Sequence, residues 1–266
     1  MRDTKGWRVF VSLKAKPVEK VARSQAGAMG MDLNADHLAS AETDRFGNLI
    51  DVGRFDCAFY GKTEQQATAI IGDAAARSSE RAKLAGKPVV IEKLYFQKKK
   101  AELESADRRA ARMLSSFAFR KTAASNKSAC FRAGVEVVEL KPAYTSVIGA
   151  VNYARSKRIS THQGAAFAIA RRGLGMSERP TCRMAVVPAR KGGHATFALP
   201  VRNRAKHGWS FWSNVKTRLQ AAHRAHFRCG APKKAPPPLP RANPAACATG
   251  SPRCDSVASI ALSTVR

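Results

Sequence analysis

The chain has 266 residues, 44% of them hydrophobic, enough to bury a core in one large domain or two small ones, which excludes a wholly disordered polypeptide. Its 47 Lys and Arg against 19 Asp and Glu leave a net charge of +28, an excess that draws polyanions, with nucleic acid the first candidate and an anionic membrane surface the second. No apolar run approaches the ~18 residues needed to span a bilayer, and the amino terminus lacks the apolar stretch of a secretory signal, so the sequence reads as cytoplasmic, nucleoid-associated if DNA-bound. Six cysteines are scattered without a CxxC pair, which points to reduced thiols rather than a zinc ribbon or a disulfide framework.

The apolar run Ala28-Met-Gly-Met-Asp-Leu33 opens the strongly patterned part of the chain. Residues 36–43, the turn Asp44-Arg-Phe-Gly-Asn48 and the partly alternating residues 49–56 follow, a pattern of three strands joined by tight turns. Residues 62–85 place Ala67, Ile70, Ile71, Ala74 and Ala75 at helical spacing, with Gly86 as the stop. Pro88-Val-Val-Ile-Glu-Lys-Leu94 reads as a fourth strand, residues 98–133 as a long basic helix ended by Gly134, and residues 135–140 as a fifth strand closed by Lys141-Pro142. Residues 160–173 form a capped helix. The order βββ-α-β-α-β-α implies a mixed sheet with helices packed on it.

Charge shifts near residue 180. From there to the end lie 15 Lys and Arg and a single acid, Asp255, so half the net charge sits in the last 87 residues. Trp212, Val215, Leu219 and Ala222 give residues 208–223 the pattern of a short basic helix. The Pro-rich stretch beginning Ala231-Pro-Lys-Lys-Ala-Pro-Pro-Pro-Leu-Pro240 cannot sustain helix or strand ladders, and residues 231–266 are expected to be disordered.

Two acids interrupt apolar strands: Asp32 between Met31 and Leu33, and Glu92 after Val89, Val90 and Ile91. A doubly covered strand takes a charge only when something pairs with it, either a Lys or Arg or a metal ion. Two carboxylates facing one cleft can hold Mg²⁺ through hard oxygen ligands and leave positions for phosphate and water. His162 falls in the first turn of the last core helix, where the helix dipole favours anions, and is either a plain surface residue or part of a site. His223-x-x-His226-x-x-Cys229 has the spacing of a metal clip, with a fourth ligand to be found only at Cys247 or Cys254. Lys98, Lys99, Lys100, Arg108, Arg109, Arg112, Arg120 and Lys121 give the long helix a candidate nucleic-acid surface, unless the Lys98–Lys100 run is simply a solvated helix start.

Gly30-Met-Asp-Leu-Asn34 with Asp44-x-x-Gly-Asn48, Val90-Ile-Glu-Lys-Leu94 with Phe96, Leu114-Ser-Ser-Phe117 and Lys141-Pro-Ala-Tyr-Thr-Ser146, in that order, resemble the RuvC-like nuclease core of the transposon-encoded TnpB (OrfB) family, which is similar to the type V CRISPR effectors. The resemblance spans residues 26–175. It implies a ribonuclease H-like mixed sheet flanked by helices, with a basic, partly disordered C-terminal extension. It also implies Mg²⁺ or Mn²⁺ held by Asp32 and Glu92, catalysis by these two with His162, and DNA and a guide RNA as partners with no membrane. On this reading residues 1–25 are the remnant of an N-terminal β domain or a linker, 26–179 the RuvC-like core, 180–230 a basic extension with a short helix, and 231–266 the tail.

The sequence departs from that family at its last motif, an Asp followed by a small-residue helix, where this chain has His162-Gln-Gly-Ala-Ala166. RuvC-like enzymes with His at this place carry an Asp three residues later, the position of Ala165 here, and no acid occurs between residues 140 and 177. An Asp at 165 is expected to supply the missing ligand, one turn after His162. The family's zinc ribbon is absent, because residues 147–160 contain no Cys. Two function classes follow: a metal-dependent, RNA-guided DNA endonuclease core of a TnpB-like transposase accessory protein, or a non-catalytic nucleic-acid-binding protein of the same fold.

Overall fold

The computed structural model describes residues 20–34, 36–58, 61–93, 116–180, 182–189 and 192–228, with scattered positions before residue 20. Five strands form the central sheet: β1 (Met29–Leu33), β2 (His37–Thr43), β3 (Leu49–Asp56), β4 (Val89–Glu92) and β5 (Val137–Leu140). Their spatial order is β3-β2-β1-β4-β5. The first three pair antiparallel, whereas β4 runs parallel to β1 and β5 parallel to β4. This mixed sheet with helices on it is ribonuclease H-like.

The antiparallel part follows from turn chemistry. The Asp44 carboxylate accepts from the backbone N–H groups of Phe46 (2.9 Å) and Asn48 (2.8 Å) and from the Asn48 side chain (2.9 Å). Gly47 takes the left-handed conformation (φ 74°) that lets the chain reverse there. The Asp-x-x-Gly-Asn motif is thus the β2–β3 turn. Parallel strands need crossovers, and helices provide them: α1 (Glu64–Leu84) lies between β3 and β4, and α2 (Ser116–Ala133) precedes β5.

A capping box of Thr63 and Gln66 starts α1, which buries Ile71, Ala74, Ala75, Ser78 and Ala82 along one face. The buried Asn126 of α2 donates to Ser78 Oγ at 3.0 Å, fastening the two helices together. They cover one side of the sheet, where Met29, Met31, Val89 and Ile91 pack with Ala82 and Cys130. Full burial of each large apolar side chain there contributes about 1.5–3 kcal/mol.

Side chains alternate along an extended chain, so Gly30 and Asp32 of β1 and Ala28 just before it, with Val90 and Glu92 of β4, share the opposite face. That face is covered by α4 (Thr161–Gly173), whose Ile169 packs with Ala28 and Val90 and whose Ala166 and Phe167 pack with Ala41. The contact is backbone to backbone. A Cβ on Gly30 would overlap the Ala166 carbonyl and lie 2.6 Å from Ala170 N. Before α4, α3 (Thr145–Ile148) continues into a π-helical turn, Gly149–Ala154, and Gly149 meets Gly164 of α4 with equal closeness.

The hairpin of β6 (Met184–Pro188) and β7 (His194–Ala198) is followed by α5 (Gly208–Arg228). Ala185, Val187 and Phe197 of the hairpin and Phe211, Trp212, Val215 and Leu219 of α5 form one apolar cluster with Ile148, Val151 and Ala168 of the core. Neither the hairpin nor α3 is evident in the sequence pattern, and α5 runs past residue 223, where the pattern ends. Of the helix expected over residues 98–133, Ser116–Ala133 is helical; residues 98–115 and the tail 231–266 lie outside the described residues, as does most of residues 1–19. Among the described residues no helix is long and apolar enough to cross a membrane.

Candidate active site

β1 and β4 pair in register through Met31 and Ile91. Asp32 and Glu92 are the next residue on each strand. They therefore stand side by side at the carboxyl ends of neighbouring parallel strands, ~4.8 Å apart in backbone spacing, on the face that α4 covers. Asp32 is 8% exposed.

A second capping box, Ser160 with Gln163, fixes where α4 begins. Because Gly30 seats α4 against β1, the first turn of the helix falls over the end of that strand, and His162 Nδ1 lies 3.2 Å from Asp32 Oδ2. The arrangement accounts for a histidine at a helix N-terminus. The Asp32 carboxylate meets the positive end of the dipole and accepts the imidazole N–H as well. A carboxylate only accepts, so this contact assigns the ring N–H to Nδ1 and leaves Nε2 unused by Asp32.

Further polar groups extend from Asp32. Asn34 Nδ2 donates to Asp32 Oδ2 at 3.0 Å and faces His37 Nε2 at 3.5 Å. His37, buried at 4% exposure, uses Nδ1 on Asp36 Oδ1 at 2.8 Å, and its ring stands edge-on to that of His162 with centroids 5.0 Å apart. Arg54 reaches both Asp36 (3.4 Å) and Asp56 (2.7 Å). Burial pushes the Asp36 carboxyl up, but the hydrogen bond and charge of His37 outweigh it and hold it below the usual carboxylate range.

Glu92 is held from the other side. The Thr145 hydroxyl donates to Glu92 Oε1, and Thr145 itself is 3% exposed. The loop that delivers it is pinned by Arg172 of α4, whose guanidinium donates to the carbonyls of Lys141 (2.9 Å) and Ala143 (2.7 Å). Desolvation lowers the Arg172 pKa while the nearby Glu92 charge opposes that shift. Tyr144, left-handed at φ 60°, turns the chain into α3. The Lys141-Pro-Ala-Tyr-Thr-Ser146 motif is thus the device that brings a hydroxyl to the second acid.

The structure brings Asp32, Glu92 and His162 to one edge of the sheet. Asn34, His37, Thr145 and Arg172 join them; sequence reading did not assign these, although Asn34 and Thr145 lie inside motifs it singled out. Lys98, Lys99, Lys100, Arg108, Arg109 and Arg112 lie outside the described residues, as does Cys229. Arg120 is exposed on α2, and Lys121 is engaged by Glu64 (3.7 Å) and the Thr68 hydroxyl. Ala165 is 1% exposed, close against Gly149, so an Asp there would enter packed structure rather than an open cleft.

Among the described residues no three or more His, Cys, Asp or Glu side chains form a group that could hold a metal ion. The side chains as placed are therefore not a preformed cage. The two carboxylates fit by donor type a hard cation that takes one or two protein oxygens and completes its shell with substrate phosphate and water.

No family model matches the chain, and no curated protein matches it. Among solved structures it is similar to Thermus thermophilus RuvC in complex with a Holliday junction substrate, at 17% identity and a TM-score of 0.36, covering 54% of this chain and 89% of that one. It is likewise similar to a second Thermus thermophilus RuvC structure, at 16% identity and a TM-score of 0.35, covering 54% of this chain and 90% of that one.

Proposed function

We propose that this chain is a nucleic-acid-binding protein whose core is a RuvC-like, divalent-metal-dependent DNA endonuclease of TnpB type, acting with a guide RNA. The observation that carries the reading is the placement of Asp32 and Glu92 at matching positions on adjacent parallel strands, with His162 hydrogen-bonded to Asp32. The +28 charge supports a polyanionic substrate, and the ordered motifs of residues 26–175 support the family. Asp32 and Glu92 would hold Mg²⁺ or Mn²⁺, whose chemistry is to polarise a phosphodiester and acidify bound water. Asp32 orients the His162 ring, and His162 handles a proton at Nε2. Asn34 and Thr145 fix the rotamers of the two acids.

A second reading, a non-catalytic nucleic-acid-binding protein, is favoured by one observation: each acid already accepts a protein hydrogen bond, and no third acid joins them among the described residues. Cleavage of labelled single- and double-stranded DNA by the purified chain with Mg²⁺ or Mn²⁺, with and without a guide RNA, separates the two. Metal-dependent cleavage lost in Asp32→Ala and Glu92→Ala establishes the first. Binding without cleavage under every metal establishes the second.

A further inference from the structure

Beside α5 lies a cavity of about 1270 Å³. It exceeds the ~300–1,000 Å³ of typical small-molecule pockets. Its floor is apolar, formed in part by Ile148, Phe211 and Trp212 of the cluster that joins the β6–β7 hairpin and α5 to the core. Its wall is cationic: six of the lining residues are Lys or Arg, against one acid, Glu178. That acid is already committed, since its buried carboxylate accepts from Arg171 Nε at 2.7 Å and from the Tyr153 hydroxyl. Arg172 is committed too, to the carbonyls of Lys141 and Ala143. Arg179, Arg183, Arg202 and Lys206 are all exposed, and none makes an ion pair within the described residues. Arg179 and Arg202 also border an adjoining depression with Arg204, so the positive surface continues past the rim. At the mouth stand Trp209, 43% exposed, and Val201, 97% exposed, with His207 edge-on to the Trp209 indole at 5.2 Å.

We infer that this cavity binds a single-stranded nucleic-acid segment, with phosphates on Arg179, Arg183, Arg202 and Lys206 and an unstacked base against Trp209 over the apolar floor. Unneutralised guanidinium groups around an apolar depression match a polymer whose charged backbone alternates with flat apolar faces. A duplex is excluded by shape, since its bases are stacked inside and cannot enter a concave apolar site. The position has a consequence for the acids. Lys141, which lines the cavity, directly follows Leu140, the register partner of Glu92. A strand held here therefore leads from the carboxyl edge of the sheet. The inference deepens the proposed function by naming a holding site for the single strand, and it rests on that reading only for what happens at Asp32 and Glu92.

The test is fluorescence anisotropy of the full chain with labelled oligothymidylate and oligouridylate of ~12 nucleotides, a length within known single-strand site sizes, and with a duplex of equal length. Arg179→Ala with Arg202→Ala should weaken single-strand binding by ~10-fold or more and flatten its log–log salt slope by ~0.7 per lost phosphate contact, with the duplex little affected. Trp209→Ala should weaken single-strand binding ~5- to 100-fold, and Trp209→Phe should restore much of it, since stacking needs only a flat ring. The DNA and RNA arms show which backbone the site prefers. Unchanged single-strand affinity and slope in the double variant, or an equal loss on the duplex, would overturn the inference. The two proposals are told apart by cleavage: single-strand binding lost in the cavity variants of a chain that never cleaves refutes only the nuclease.

Discussion

Gly30 of β1 lies directly against the Ala166 carbonyl of α4, two residues before Asp32. That contact sets the height of α4 above the sheet and brings its first turn, with His162, over the end of β1. A methyl group at residue 30 would push helix and strand apart.

Gly30→Ala is expected to destabilise the chain by about 1–3 kcal/mol through overpacking, with more if the backbone cannot yield. Urea unfolding should show a lower midpoint at unchanged slope. A midpoint equal to wild type would mean that the strand–helix contact is looser than described.

If the core cleaves DNA, Asp32→Ala and Glu92→Ala should abolish cleavage while duplex affinity stays within about twofold, because neither acid attracts phosphate. His162→Ala should lower the rate ~10²–10⁴-fold, the range of a lost proton-handling group. Rapid Mg²⁺-dependent cleavage by Asp32→Ala would place the chemistry elsewhere.

Ala165→Asp tests the family pattern against the packing. Sequence reasoning alone expects a gain of activity from the added acid. At 1% exposure beside Gly149, the carboxylate would instead be buried among backbone. The expected result is a loss of stability of about 1–3 kcal/mol in metal-free buffer, read by thermal or urea melting, with no gain in cleavage.

Thiol reactivity should divide by burial. Burial pushes the thiols of both Cys57 and Cys130 up to about 11, assisted at Cys57 by the charges of Asp36 and Asp56, whereas Cys182 is exposed. Iodoacetamide at neutral pH, followed by peptide mass spectrometry, should label Cys182 and leave the other two until the chain unfolds. Because both pKa values are raised in the folded state, the stability they contribute is complete below the unfolded thiol value of ~8.5 and is lost as pH rises towards 11. Melting curves between those limits should fall more steeply for wild type than for Cys57→Ala with Cys130→Ala.

Replacing Lys98, Lys99 and Lys100 with Ala should weaken duplex binding uniformly across sequences and reduce the log–log salt slope by ~0.9 for each phosphate contact removed. Lys121→Ala should change it less, because that ammonium is already engaged by Glu64 and Thr68. An unchanged slope in the triple variant shows that the lysine run makes no phosphate contact.

The sheet is legible in the sequence. Apolar runs, the Asp44 turn, the α1 stop at Gly86 and the capped helix at residue 160 are local signals, set by side-chain periodicity and backbone conformation, and the five core strands fall where those signals lie. It also marked Asp32 and Glu92, because an acid within a buried strand is a local anomaly. The β6–β7 hairpin was not legible: its inward positions Ala185, Val187, Ala195 and Phe197 are few and mostly small, and what buries them is packing against the π-helical turn Gly149–Ala154 and α5, both distant in sequence. Helix α3 was likewise hidden, since Tyr144 must adopt a left-handed conformation that no local preference favours. Which polar groups meet depends on the fold. His162 lies 130 residues from Asp32 in the chain, and Thr145 lies 53 from Glu92. Their encounters depend on strand register and on a glycine that lets a helix touch a strand, and the cationic wall of the cavity depends on a hairpin and a helix folding back on the core. Such contacts arise from packing between distant segments, and residue spacing carries no record of them.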